Sequence, residues 1–87
     1  MTVEFLTQQA NSLRNRIGND ISTKKHHPSY GVTKKGLLST YNQLVGILWS
    51  IDTMSGNYSV SVELGANRAA SGLDINLSAL MAAINNA

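Results

Sequence analysis

The sequence predicts a mainly α member of the α+β class: a long helical hairpin, then a β-hairpin, then a short C-terminal helix. Three observations predict it. Apolar residues recur at spacings of three and four over two long stretches, the period shortens to two between residues 58 and 77, and glycine, proline and capping residues punctuate the changes.

Val3, Leu6, Ala10, Leu13, Ile17 and Ile21 lie on one stripe of a helix, with Thr2 placed to cap it. The spacing predicts a helix over about 3-22, with Gly18 weakening its later part. The stretch Ser22-Thr-Lys-Lys-His-His-Pro-Ser-Tyr-Gly-Val-Thr33 is rich in turn formers and holds the only proline, so it reads as the inter-helix loop. Thr33 then caps a second helix, about 34-54. Its apolar residues Leu37, Leu38, Tyr41, Leu44, Val45, Leu48, Trp49 and Ile51 cover most of the circumference. A helix of that kind is packed on two sides and forms a spine. Met54-Ser55-Gly56 supplies the glycine that ends it.

Tyr58, Val60, Val62 and Leu64 alternate with Ser59, Ser61 and Glu63, the pattern of a half-buried strand over about 58-64. Leu73, Ile75 and Leu77 alternate with Asp74 and Asn76, which predicts a partner strand over about 73-77. Gly65 to Gly72 reads as the irregular connection between them. Leu77, Leu80, Met81 and Ile84 lie on one side of a last short helix that starts at Asn76 or Ser78 and covers about 78-85.

With 87 residues, one domain spanning 1-87 is expected, and a domain of that size buries only roughly 60 to 65% of its unfolded surface. Cysteine is absent, so disulfides do not reinforce the thin core. The chain is 43% hydrophobic but only 14% charged, against roughly 25% charged in an ordinary soluble domain. Interface cores are depleted in charge, which favours a homo-oligomer whose faces are covered by sister subunits. The opening segment MTVEFLTQQA has neither a basic n-region nor an apolar h-region, and no apolar run approaches the roughly 18 to 20 residues of a membrane span. A cytoplasmic location without a membrane partner is the expectation.

Chemistry in this composition points away from catalysis. The five carboxylates are scattered singly, the two histidines are adjacent, and no Gly-x-Ser-x-Gly elbow occurs, so neither a nucleophile with its base nor a paired acid and base is indicated. Adjacent histidines point in different directions and have no obvious third ligand, so no metal site and no cofactor is expected.

Charge is distributed unevenly. Six of the seven basic residues, Arg14, Arg16, Lys24, Lys25, Lys34 and Lys35, lie between positions 14 and 35, with only Asp20 opposing them. Together with His26, His27, Ser29 and Tyr30 they form a candidate ligand-binding set. Ammonium groups pair with phosphate, Tyr30 can stack on a base, and a helix N-terminus offers amides to an anion.

Val3-x-x-Leu6-Thr7-x-Gln9-x-Asn11-x-Leu13, then Lys24-Lys25-His26-His27, then Gly36-Leu37-Leu38 and Leu44 resemble the central helical hairpin of the fifteenth protein of the small ribosomal subunit. That family contacts ribosomal RNA through its His-containing inter-helix loop, so the resemblance implies RNA-facing roles for His26, His27 and Ser29. It spans residues 3-48, and the 58-77 segment has no counterpart in it. Lys25 stands where the family has an acidic residue, and Pro28 where it has a serine.

The functional expectation is a small non-enzymatic binding protein whose basic inter-helix loop engages a phosphate-bearing partner, RNA or a nucleotide. The alternative is a structural or interaction protein. It would be either a self-assembling subunit of the kind found in phage particles, or a protein that inhibits a host factor by docking on it.

Overall fold

The computed structural model describes all residues, Met1–Ala87, and is helical throughout. Helix α1 spans Val3–His26, a 3-10 turn spans Pro28–Tyr30, α2 spans Lys34–Met54, α3 spans Val62–Gly72 and α4 spans Leu77–Asn85. The molecule measures 44 × 23 × 19 Å, its long axis set by the α1–α2 hairpin.

Each helix begins on a side-chain cap that removes one unpaired amide from the first turn. Thr2 accepts from the Phe5 amide, Thr33 from Gly36, Ser61 from Leu64 and Asn76 from Ala79, all at 2.9–3.1 Å. The first helix continues past Gly18 and beyond its predicted end to His26. Only the His27–Thr33 connection remains outside helices α1 and α2, with Pro28 opening the 3-10 turn and Gly31 closing it at φ 79°.

Helix α2 is packed on two sides. Leu37, Leu44 and Ile51 are buried in a core shared with Leu6, Ala10 and Ile17 of α1, and Ala66 and Ala70 of α3 join that core. The short α4 contributes Leu77, Leu80 and Ile84, and touches both long helices.

The predicted β-hairpin is not formed, and the fold class is all-α rather than α+β. Residues 62-72, read partly as a strand and partly as an irregular tip, are the continuous helix α3. Burial explains the correction. A strand over 58-64 would have buried Tyr58, Val60, Val62 and Leu64, yet all four are exposed. The residues that α3 buries are Gly65, Ala66 and Ala70, small side chains that let two backbones approach closely. Ala66, Ala69 and Ala70 also favour the helix intrinsically, and two isolated strands would be marginal in water.

The second predicted strand, 73-77, is a helix terminus followed by a helix start. The Ile75 amide donates to the Ala70 carbonyl at 2.8 Å and the Asp74 amide to the Ser71 carbonyl at 3.3 Å, with Asp74 at φ 55°. This is a Schellman motif, closed by the buried pair Ala70 and Ile75. Asn76 then caps α4, which decides the start of the last helix at the earlier of its two expected positions, and Leu77 belongs to that helix and to no strand. The end of α2 uses the same device. The Asn57 amide donates to the Asp52 carbonyl and the Gly56 amide to that of Thr53, with Gly56 at φ 90°.

Candidate functional site

The basic residues named from sequence fall into two groups. Lys24, Lys25 and His26 occupy the last turn of α1, and Lys34 and Lys35 open α2, so five of them meet at the hairpin end. Arg14 and Arg16 lie farther back on α1, about 15 Å and 12 Å along the axis from Lys24 at 1.5 Å per residue. The Arg16 guanidinium lies 3.8 Å from the Asp20 carboxylate, one helical turn away. Arg14 reaches over Gly18, where an added Cβ would stand 3.3 Å from its guanidinium.

No carboxylate lies within ion-pair distance of Lys24, Lys25, Lys34 or Lys35, since the ion pairs of the fold are Arg16–Asp20 and Arg68–Asp52. Local helix electrostatics treats the two pairs of lysines differently. In the last turn of α1 the free carbonyl ends favour a cation. In the first turn of α2, which holds no acidic residue, the free amide ends oppose one. The hairpin end therefore concentrates positive charge that the fold itself does not neutralise.

The loop between them is ordered by an aromatic contact. The rings of His27 and Tyr30 stack at 5.1 Å with 21° between their planes, so one face of Tyr30 is already occupied by imidazole. Ser29 and His26 are exposed beside them. No three His, Asp or Glu side chains converge anywhere in the fold. Lys34, Lys35, Leu38, Ser39, Asn42 and Gln43 line a shallow, open trough along one face of α2.

A second polar cluster escaped the sequence reading. Asp52, only 3% exposed, accepts from Asn57 Nδ2 at 3.2 Å and from Ser59 Oγ at 3.0 Å, and the Arg68 guanidinium lies 3.6 Å away. These bonds tie the 55-61 connection and α3 to α2. Gly65 is required beside them, because a Cβ there would stand 2.9 Å from Asp52 Oδ2 and 3.0 Å from the Trp49 ring. The available signal was Asp52 itself, a lone carboxylate within the otherwise uncharged 36-62 stretch.

Between α2, α3 and α4 the Tyr41 phenol sits half-buried. Burial raises its pKa above the ordinary 10.0, and the nearby Glu63 carboxylate raises it further. No buried polar side-chain atom lacks a partner, so groups free to recognise a ligand lie on the surface. No helix is long and apolar enough to cross a membrane. No protein-family model, curated protein or solved structure matches this chain.

Proposed function

We propose that this chain is a small non-enzymatic binding protein whose basic hairpin end engages the phosphate backbone of RNA. The observation that carries the reading is the meeting of Lys24, Lys25, Lys34 and Lys35 at one end with no carboxylate paired to any of them. Phosphate would relieve the repulsion between the α2 lysines and the amide ends of their own helix.

A polymer is favoured over a free nucleotide because the trough beside Lys34 and Lys35 is an open surface. Small-ligand sites enclose most of their ligand, which this surface does not do. Asn42 and Gln43 lie along the trough, and side-chain amides suit the edges of unpaired bases. Binding of this kind falls linearly on a log–log plot against salt.

Fluorescence anisotropy with a labelled single-stranded RNA, titrated at several salt concentrations, tests the proposal. Changing Lys24, Lys25, Lys34 and Lys35 together to alanine is expected to weaken binding at least tenfold. The salt slope should become shallower by roughly 0.7 for each phosphate that is no longer neutralised. Salt-independent binding, or a quadruple variant that binds as the parent does, refutes it. Preference for a mononucleotide over the RNA would move the reading to a nucleotide site.

A further inference from the structure

A 3-10 turn repeats every three residues, so side chains three positions apart stand one above the other. His27 and Tyr30 are such a pair. The Tyr30 amide donates to the His27 carbonyl at 3.0 Å, and the two rings stack 5.1 Å apart with 21° between their planes. Pro28 fixes one backbone angle inside the turn, and Gly31 closes it in the left-handed region at φ 79°, its amide donating to the Pro28 carbonyl. The His27 amide donates in turn to the Thr23 carbonyl at 2.7 Å, which joins the turn to the end of α1. Tyr30 belongs neither to the core nor to the residues packed against it, so local chain geometry alone sets its ring in place.

Tyr30 is 72% exposed. With imidazole on one face of the ring, that exposure leaves the other face to water. A flat aromatic surface held in solvent is a stacking platform for a nucleobase, since every base has a π-face. The surroundings say which stacking partner fits. Lys24 and Lys25 precede the turn and Lys34 and Lys35 follow it, none of them paired to a carboxylate. A nucleotide unit carries both an anionic phosphate and a flat ring, so it answers both features at once.

We propose that the His27–Tyr30 stack captures an unpaired base of the RNA strand, an inference that rests on the phosphate-binding reading of the lysines. Bases in a duplex are stacked on one another and their faces are closed. In a single strand or a loop they can be splayed onto an aromatic ring. Lysines meet phosphate in either form, so they supply affinity, and Tyr30 supplies the discrimination between paired and unpaired RNA.

Fluorescence anisotropy of the full chain with a labelled single-stranded RNA and with a duplex of the same length tests the platform. Tyr30→Ser is expected to weaken binding to the single strand about tenfold. Binding to the duplex and the salt slope on the single strand should stay as in the parent, because no phosphate contact is removed. Tyr30→Phe keeps the ring and should bind both RNAs as the parent does. Tyr30 lies outside the core, so both variants should keep the helical circular dichroism of the parent. A Tyr30→Ser variant that binds the single strand like the parent overturns the platform and leaves the lysine reading standing. Equal loss on the two RNAs also overturns it, as does a loss in Tyr30→Phe as large as that in Tyr30→Ser. Salt-independent binding by the parent overturns the lysine reading and the platform with it.

Discussion

Asp74 and Gly56 do the same job at the ends of two helices, and only one of them is the residue best suited to it. Both sit at positive φ, 55° and 90°, as the left-handed position of a Schellman motif. Glycine reaches that region without penalty, whereas an L side chain crowds its own carbonyl, less severely for aspartate than for most. Asp74→Gly is therefore expected to stabilise the fold by about 0.5–1 kcal/mol, and Asp74→Val to destabilise it by about 1–2 kcal/mol. Urea denaturation followed by circular dichroism measures both, and a lower midpoint for Asp74→Gly would contradict the account. Gly56 was legible as a helix stop because glycine announces the left-handed region in sequence. Asp74 was not, because between Leu73 and Ile75 the same position looks like the wet face of a strand.

Helix α3 shows how an element can be hidden by the size of its side chains. Its buried face is Gly65, Ala66 and Ala70, which carry little of the apolar weight that periodicity detects. The larger residues Val62 and Leu64 stay exposed and drew the strand assignment. Ser61 as a cap, Glu63 in the first turn and the alanines after it were the legible helix signals. The packing predicts that one substitution will act oppositely in two helices. Gly46 in α2 has nothing within 4 Å of an added Cβ, so Gly46→Ala should stabilise by up to about 1 kcal/mol through helix propensity. At Gly65 the added Cβ would press on Asp52, whose carboxylate is already held by three partners, and on Trp49. Gly65→Ala should therefore destabilise by about 1–3 kcal/mol despite its better propensity. Equal midpoints for the two variants in the same urea series would refute this view of α3.

Across the whole molecule, cations and exposed apolar groups are sorted to different places. Lys24, Lys25, Lys34 and Lys35 gather where α1 meets α2. Of the large exposed hydrophobic residues, only Tyr30 lies near them, and the rest belong to the N-terminus and first turn of α1, the latter part of α2 and the segment through Leu64. None of the four lysines belongs to the buried core, so the quadruple lysine variant should keep the helical circular dichroism and the urea midpoint of the parent. A markedly lower midpoint in that variant would show that the lysines also hold the fold together. The lysines gather at one end because the hairpin loop is local and they are close in the chain. Arg14 and Arg16 share the charge run but lie two to three helical turns back along α1, with Arg16 beside Asp20.

The sequence by itself determined the long hairpin, its Thr2 and Thr33 caps, its Gly56 stop and the place of its positive charge. Those features arise from neighbours within a turn or two, where spacing and capping chemistry suffice. Only the tertiary structure decided the conformation of the chain beyond Met54. Residues 58-77 carry a pattern that suits a strand, and the outcome turned on packing against α2. Asp52 draws Asn57 and Ser59 inward, and the glycine and alanines of α3 fit against α2 more closely than larger side chains could. An alternation of polar and apolar residues specifies that two faces differ, but which face meets the protein depends on what the protein offers there.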